Sequence, residues 1–190
     1  MPSSETREVY LDKTELAIFI KHCNGFGNSS TEYKIMEMYQ FTCYTGLRFS
    51  DVLVLQWKHI DFENEMIRKI MIKTKSEVIT PLFPLAKAIL MEKLAKNQTL
   101  LGSDCKVFQN YTETTVNKTL RKHTKLAGID KQVTFHSSRH TFATLLVKDG
   151  VDIYKIQKYL GHKSFNMTER YLKYDLSIAK ESAKDISTFS

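Results

Sequence analysis

Apolar residues recur at helical spacing along most of this chain, and the stretch 59–82 breaks that period. Within it lie two short apolar runs, residues 66–72 and 78–82, which polar connections separate. Runs of this length between polar turns are typical of β-strands. The pattern therefore predicts a mainly α chain with a small antiparallel β-sheet of two or three strands, an α+β class.

The first two predicted helices begin at residues that cap helices well. Asp12 precedes a helix that runs to about residue 23, because its carboxylate can accept from free N–H groups. Ser29 and Glu32 form a capping-box pattern ahead of a second helix, predicted over 31–45.

Ser50 and Asp51 are predicted to cap a short third helix that ends near Gln56. The pattern is helical again from residue 84, and glycines stand where three of these helices would stop. The further helices are predicted over 84–96, 112–127, 137–149, 152–160 and 164–174, with stops at Gly128, Gly150 and Gly161.

The charge balance favours a polyanionic partner. Lys and Arg number 28 against 21 Asp and Glu, which gives a formal net charge of +7 over 190 residues. A basic excess of this kind is an electrostatic footprint of nucleic-acid binding, although it does not prove it.

Cysteine usage and hydropathy exclude several classes. Cys23, Cys43 and Cys105 are far apart and form no Cys-x-x-Cys pair, so neither a disulfide framework nor a zinc knuckle is indicated. A reducing cytoplasm is the predicted location. No apolar run reaches the length of about 18 residues that a membrane helix needs, and the polar N-terminus has no signal-peptide core.

Two basic clusters are candidate phosphate contacts. The helix predicted over 112–127 is amphipathic, with Val116, Leu120 and Ala127 opposite a basic stripe. A solvated helix face would show the same stripe, whereas backbone binding requires only clustered positive charge. The clusters consist of Lys118, Arg121, Lys122 and Lys125 on the helix, and Arg68, Lys69, Lys73 and Lys75 on the hairpin.

Four segments carry side chains that are common in active sites, and each segment taken singly is weak evidence of a function. An arginine can be a surface ion pair, a histidine can cap a helix, and Tyr171 is one of nine tyrosines, with Tyr174 close by. His136 and His140 have metal-ligand spacing, but no third ligand accompanies them, so no metal site is predicted. The segments are TGLRFSD at 45–51, KTK at 73–75, HSSRHTFAT at 136–144 and LGH at 160–162, with Tyr171 nine positions later.

In this order the segments resemble the catalytic domain of the tyrosine recombinases of the lambda-integrase type. The match runs from about residue 10 to 180. It is most similar to integrases of bacterial conjugative transposons and related mobile elements. The resemblance implies that fold and a site-specific DNA recombinase or integrase activity.

The resemblance also implies a role for each motif residue. Tyr171 would attack the scissile phosphate, leaving a 3′-phosphotyrosine bond and a free 5′-hydroxyl. Arg48 and Arg139 would bind the phosphate oxygens, and His162 would donate a hydrogen bond to the phosphate. His136 would assist proton transfer at the nucleophile. Because arginines supply the positive charge, this mechanism needs no metal or other cofactor.

The family's general acid is a hairpin lysine, which implies Lys73. Thr80 stands where the family commonly has an aliphatic residue, so the hairpin register and the choice between Lys73 and Lys75 stay open. Asp51 is expected to support a helix start or a catalytic side chain. His140 is expected to face inward as a structural residue.

The resemblance predicts a polar lead-in at 1–9, the catalytic domain at 10–180 and a C-terminal tail at 181–190, without the N-terminal DNA-binding domain common in the family. It implies double-stranded DNA as the partner, a homotetramer on DNA, a monomer when free, and accessory DNA-bending proteins. The predicted location is the bacterial cytoplasm, at the nucleoid when bound. A DNA-binding module without cleavage and a type IB topoisomerase are the competing hypotheses.

Overall fold

The computed structural model describes residues 8–73, 75 and 77–171, and it confirms a mainly α fold with one small antiparallel sheet. In the described part of the chain no helix is long and apolar enough to cross a membrane. The helices are α1 (Lys13–Cys23), α2 (Thr31–Cys43), α3 (Phe49–Val52), α4 (Pro84–Lys96), α5 (Glu113–Leu126), α6 (Phe135–Lys148), α7 (Ile153–Leu160) and α8 (Asn166–Glu169); the strands are β1 (Ile60–Asp61), β2 (Met66–Ile70) and β3 (Glu77–Pro81); Trp57–His59 and Gln98–Leu100 are short 3₁₀ helices.

The three strands pair in the order β1-β2-β3, with Ile67 opposite Thr80. Strand β2 ends at Ile70, earlier than the predicted residue 72, because the chain turns at Met71. The Met71 carbonyl accepts the backbone N–H of Lys75 at 3.0 Å. Lys73 therefore lies in the connection between β2 and β3 rather than on a strand.

The helix starts agree with the sequence patterns in some places and not in others. Asp12 caps α1 as predicted, and the structure adds a capping box in which the Glu15 side chain accepts the Asp12 N–H. Ser29 is not the cap of α2, because the neighbouring Ser30 accepts from the Tyr33 N–H instead.

The predicted cap of α3 is wrong. Arg48 occupies the N-cap without a side-chain hydrogen bond, which places Ser50 and Asp51 inside the helix, and α3 ends at Val52 rather than near Gln56. The Asp51 carboxylate turns towards the hairpin, where Oδ1 accepts the N–H of Ile72 at 2.8 Å.

The core is built around α2, most of which is buried. It packs against α1, α4, α5 and α6. A second, smaller apolar cluster joins α6 and α7 and includes the ring of Tyr171. Thr80 links this region to the sheet, since its hydroxyl donates to the Tyr159 carbonyl of α7 at 3.1 Å. This hydrogen bond explains why a polar residue occupies this position of β3.

Three of the four motif segments converge because α6 packs against α2 in the main core and against α7 in the smaller cluster. Ten of its residues are buried, Arg139 and His140 among them. Gly161 ends α7 in the left-handed conformation at φ +60°, as its position after the helix predicted. The turn that follows directs His162 back towards α6, because Gly161 adopts this backbone without strain. The predicted helix 164–174 is only the short α8 within the described residues, and residues 172–174 and the predicted tail at 181–190 lie outside them.

Candidate active site

Arg139 connects three of the sequence motifs. Its side chain is only 3% exposed. Nη1 donates to the Gly46 carbonyl at 2.6 Å and Nη2 donates to the Leu160 carbonyl at 2.5 Å. Burial, and then the positive charge of Arg48, lower the pKa of Arg139 to about 9. The guanidinium therefore keeps its charge at neutral pH while it holds the motif segments together.

Gly46 makes this convergence possible. Its φ is +65°, and a Cβ at this position would lie 2.4 Å from a ring carbon of Phe142 and 3.0 Å from a Leu160 methyl. The backbone conformation and the close approach of α6 and α7 both require glycine. The turn before α3 can therefore pack closely enough for its carbonyl to reach Arg139.

Arg48 contributes a second guanidinium beside Arg139. Its Nη1 is buried and has no hydrogen-bond partner among the described residues. Burial lowers the pKa of Arg48, while the carboxylate of Asp51 opposes that shift. A buried cationic donor without an acceptor is costly unless an anion binds there. The two arginines therefore form a candidate anion site.

His136 and His162 lie in the electrostatic field of these arginines. Burial, His140 and Arg139 lower the pKa of His136 to about 4, although its side chain keeps access to solvent. Burial, Arg139 and Arg48 lower the pKa of His162 to about 3. Both rings are therefore neutral at pH 7, so each has one N–H donor and one lone pair. His162 Nδ1 lies 2.7 Å from the Thr168 hydroxyl, which orients the ring.

Tyr171 lies at the edge of this cluster. Its side chain is 2% exposed, and its hydroxyl oxygen is 2.9 Å from Nδ1 of His140. The phenol also lies close enough to Arg139 to favour the charged guanidinium. The structure thus brings Arg48, His136, Arg139, His162 and Tyr171 into one region, as their assignment to one site requires.

Two features of the site were not predicted from the sequence: the contact of His140 with Tyr171, and Glu8. His140 is buried as expected, but it contacts the Tyr171 hydroxyl and is more than a packing residue. Its spacing of four from His136, on the same helix face, is the pattern that indicates this. Nothing in the sequence indicates Glu8, whose Oε2 is 3.1 Å from His140 Nδ1 and whose Oε1 is 2.7 Å from Arg170 Nη1.

Lys73 lies apart from the buried cluster. Its side chain is exposed, whereas those of Arg139 and Tyr171 are buried. The hydrogen bond from Ile72 to Asp51 fixes the backbone next to it. Lys75 is also exposed and has φ +54° in the turn. The choice of Lys73 over Lys75 stays a prediction.

The basic stripe on α5 faces solvent as the amphipathic pattern predicted. Val116 and Leu120 are buried on the opposite side. The four stripe residues, Lys118, Arg121, Lys122 and Lys125, are exposed.

The hairpin cluster needs one correction, because strand alternation separates Arg68 from Lys69. Arg68 is exposed, whereas Lys69 is 7% exposed and lies beside Asp51. Lys69 is therefore not part of an exposed phosphate-binding surface with Arg68.

Within the residues that the structure describes, no three His, Cys, Asp or Glu side chains are grouped to hold a metal ion.

Comparisons with known proteins match nearly the whole described chain. The model of the phage integrase family matches residues 9–176. Tyrosine recombinase XerC of Rickettsia canadensis (strain McKiel) is 30% identical over 169 residues, which are 86% of this chain and 55% of XerC. XerC of Rickettsia typhi (strain ATCC VR-144 / Wilmington) is 31% identical over 170 residues, or 85% of this chain and 54% of XerC.

Solved structures show the same fold. XerA recombinase superposes with a TM-score of 0.72 at 25% identity, covering 98% of this chain and 66% of XerA. The Tn1549 transposon integrase in complex with transposon right end DNA has a TM-score of 0.72 at 18% identity, covering 96% of this chain and 68% of the integrase. The chain spans about half the length of the curated relatives it matches.

Proposed function

The chain belongs to the phage integrase family, and on that premise we propose that it is the catalytic domain of a site-specific DNA recombinase or integrase. The domain cleaves one DNA strand through a 3′-phosphotyrosine intermediate, exchanges strands and rejoins them. One observation carries this proposal: the fold gathers two arginines, two neutral histidines and one buried tyrosine in one region. They are Arg48, Arg139, His136, His162 and Tyr171.

The arginines stabilise the charge that develops on the phosphate. When Tyr171 attacks phosphorus, the non-bridging oxygens gain negative charge, and Arg48 and Arg139 neutralise it. Guanidinium groups suit this task because each can donate to two oxygens at once. Fixed donors of this type are worth about 3–4 kcal/mol each in known enzymes. The unpaired Nη1 of Arg48 is the donor available for such an oxygen.

Proton transfer accompanies both the formation of the bond between Tyr171 and phosphorus and the breakage of the bond to the 5′-oxygen. A phenol with its ordinary pKa near 10 is ionised about once in a thousand molecules at pH 7, so the attack needs assistance. His136 is neutral and accepts the proton of the Tyr171 hydroxyl as the P–O bond forms. His162 donates a hydrogen bond to a phosphate oxygen. Lys73 protonates the leaving 5′-oxygen, and the reverse steps rejoin the strand.

Double-stranded DNA is the proposed partner, and its backbone contacts come from the exposed α5 stripe and from the exposed hairpin residues Arg68 and Lys75. Similar solved proteins are bound to DNA, among them XerH site-specific recombinase in complex with its difH substrate. On DNA the protein forms a homotetramer assisted by DNA-bending proteins, and free in the bacterial cytoplasm it is a monomer.

A nicked suicide substrate tests the proposal. It is built from the end sequences of the parent mobile element, and wild type is compared with Tyr171→Phe on a denaturing gel in EDTA. A covalent protein–DNA band that is lost in Tyr171→Phe supports a metal-independent tyrosine transesterase.

Two outcomes count against this function. If DNA binds but no band forms, even when an N-terminal DNA-binding domain is supplied, the chain is a binding module. If supercoiled plasmid is relaxed without any sequence preference, the type IB topoisomerase hypothesis is favoured.

A further inference from the structure

The carboxylate of Glu8 contacts two residues next to Tyr171: His140, whose ring lies beside the tyrosine hydroxyl, and Arg170, which precedes the tyrosine in the chain. Glu8 lies before α1, far from Tyr171 in sequence. Its Oε2 is 3.1 Å from Nδ1 of His140, the atom that lies 2.9 Å from the Tyr171 hydroxyl. Its Oε1 pairs at 2.7 Å with Arg170, the residue immediately before Tyr171. Glu8 thus joins the start of the domain to the segment that carries the tyrosine.

This carboxylate is ionised. Burial raises the pKa of Glu8, but the nearby imidazole of His140 and the guanidinium of Arg170 outweigh burial and lower the pKa to about 2. An ionised carboxylate has only acceptor oxygens. A lone pair on Nδ1 of His140, facing Oε2 at 3.1 Å, would be repelled, so the proton of the ring resides on Nδ1.

The location of that proton decides whether His140 donates a hydrogen bond to the Tyr171 hydroxyl or accepts one from it. With a proton on Nδ1, His140 donates to the hydroxyl oxygen of Tyr171. A hydrogen bond donated to a phenol oxygen stabilises its ionised form more than its neutral form. With the proton on Nε2 instead, Nδ1 would be an acceptor, and it would favour the neutral phenol.

From this geometry we infer that Glu8 is a positioning residue for Tyr171. It keeps the proton of His140 on Nδ1, so that His140 activates the tyrosine, and through Arg170 it holds the tyrosine segment in place. The inference rests on the proposed function for its effect on catalysis, but the ring tautomer of His140 does not depend on that function.

The tautomer is measured first, on the full chain without DNA. In ¹⁵N-histidine-labelled protein, long-range ¹H–¹⁵N spectra distinguish protonated from unprotonated ring nitrogens, and His140→Asn assigns the signal among the six histidines. We expect a protonated Nδ1 at pH 7 in wild type. An unprotonated Nδ1 in wild type overturns the inference directly, without any variant having to fold.

Two variants then isolate Glu8. In Glu8→Gln the new amide can donate to Nδ1, so we expect the proton to move to Nε2. Glu169→Gln is the matched control, because it makes the same chemical change at an exposed position two residues from Tyr171. The control should keep the wild-type tautomer.

Covalent adduct formation on the suicide substrate gives the second measurement. In Glu8→Gln we expect the rate at pH 7 to fall by about 10- to 100-fold, as for loss of a hydrogen bond to a charged group. The rise of rate with pH should also move to higher pH. The groups that face this network are His136, His140, Arg139, Arg170 and Tyr171, and none of them changes in the variant.

The failure of either proposal is recognisable. If wild type binds DNA but forms no adduct even when an N-terminal DNA-binding domain is supplied, the recombinase function fails, while the spectra still decide whether Glu8 sets the tautomer. If wild type forms the adduct and Glu8→Gln matches it in rate, pH profile and tautomer, the inference about Glu8 is overturned and the recombinase function stands.

Discussion

Oδ1 of Asp51 accepts the backbone N–H of Ile72 at 2.8 Å, and this bond ties α3 to the β2–β3 connection. Asp51 is fully buried, and its Oδ2 has no hydrogen-bond partner among the described residues. Because Arg48 is the N-cap residue of α3 and Lys73 follows Ile72, this hydrogen bond fixes the position of the Arg48 backbone relative to that of Lys73. The expectation that Asp51 supports catalytic residues thus has a structural basis.

Lys73→Ala should slow strand cleavage by about 100- to 10,000-fold, the usual contribution of a general acid. DNA binding should change little, because only one charge is lost. A substrate with sulfur in place of the leaving 5′-oxygen needs no proton on the leaving group, so it should restore most of the rate. The measurement is single-turnover cleavage of both substrates.

Lys75→Ala is the control for that pair of assays, since it removes the same charge from the same turn. If Lys75→Ala instead shows the large loss and the rescue by sulfur, Lys75 is the general acid and the assignment of Lys73 is wrong.

Gly46→Ala should lower the free energy of unfolding by about 2–5 kcal/mol. The cost combines backbone strain at φ +65° with overlap of the new methyl group and Phe142. Gly150→Ala is the matched control, because Gly150 has φ +75° and no atom within 4 Å of a Cβ. It should cost only about 1–2 kcal/mol. Urea titrations measure both, and equal losses would show that the contact with α6 is unimportant.

The free energy of unfolding should fall as pH drops from 6.5 towards 3. The folded state lowers the pKa of His162 from 6.5 to about 3, so in this window the unfolded chain binds a proton that the folded chain does not. Acid therefore favours unfolding there, and the stability returns as pH rises. His162→Gln should show a shallower fall over the same window in chemical denaturation at several pH values. An unchanged slope contradicts the burial of a neutral His162.

Arg121→Gln should weaken DNA binding most at low salt. If Arg121 contacts a phosphate, the slope of log K against log salt should decrease by about 0.9. Lys13→Gln on α1 is the control, because Lys13 is exposed and lies outside the stripe. Fluorescence anisotropy at four salt concentrations gives both slopes. Identical slopes for Arg121→Gln and wild type would make the stripe a solvated face.

Local patterns predicted the features that depend on neighbouring residues. The helix cap at Asp12, the helix stops at glycines and the amphipathic α5 all follow from spacing within a few residues. The prediction failed where a distant group competes for a side chain. Asp51 is a good helix cap by type, but it bonds Ile72 across the fold. Lys69 looks exposed beside Arg68, but it lies on the buried face of its strand.

Residue type and order alone were enough to predict the fold class and to single out Arg48, His136, Arg139, His162 and Tyr171, because the family motifs are short and contiguous. The contacts among them depend on how α6 packs against α3 and α7. That packing places the Gly46 and Leu160 carbonyls on Arg139 and His140 beside Tyr171. Glu8 could not be foreseen, since a lone glutamate far from the motifs has no local pattern, and only the folded chain brings its carboxylate to His140.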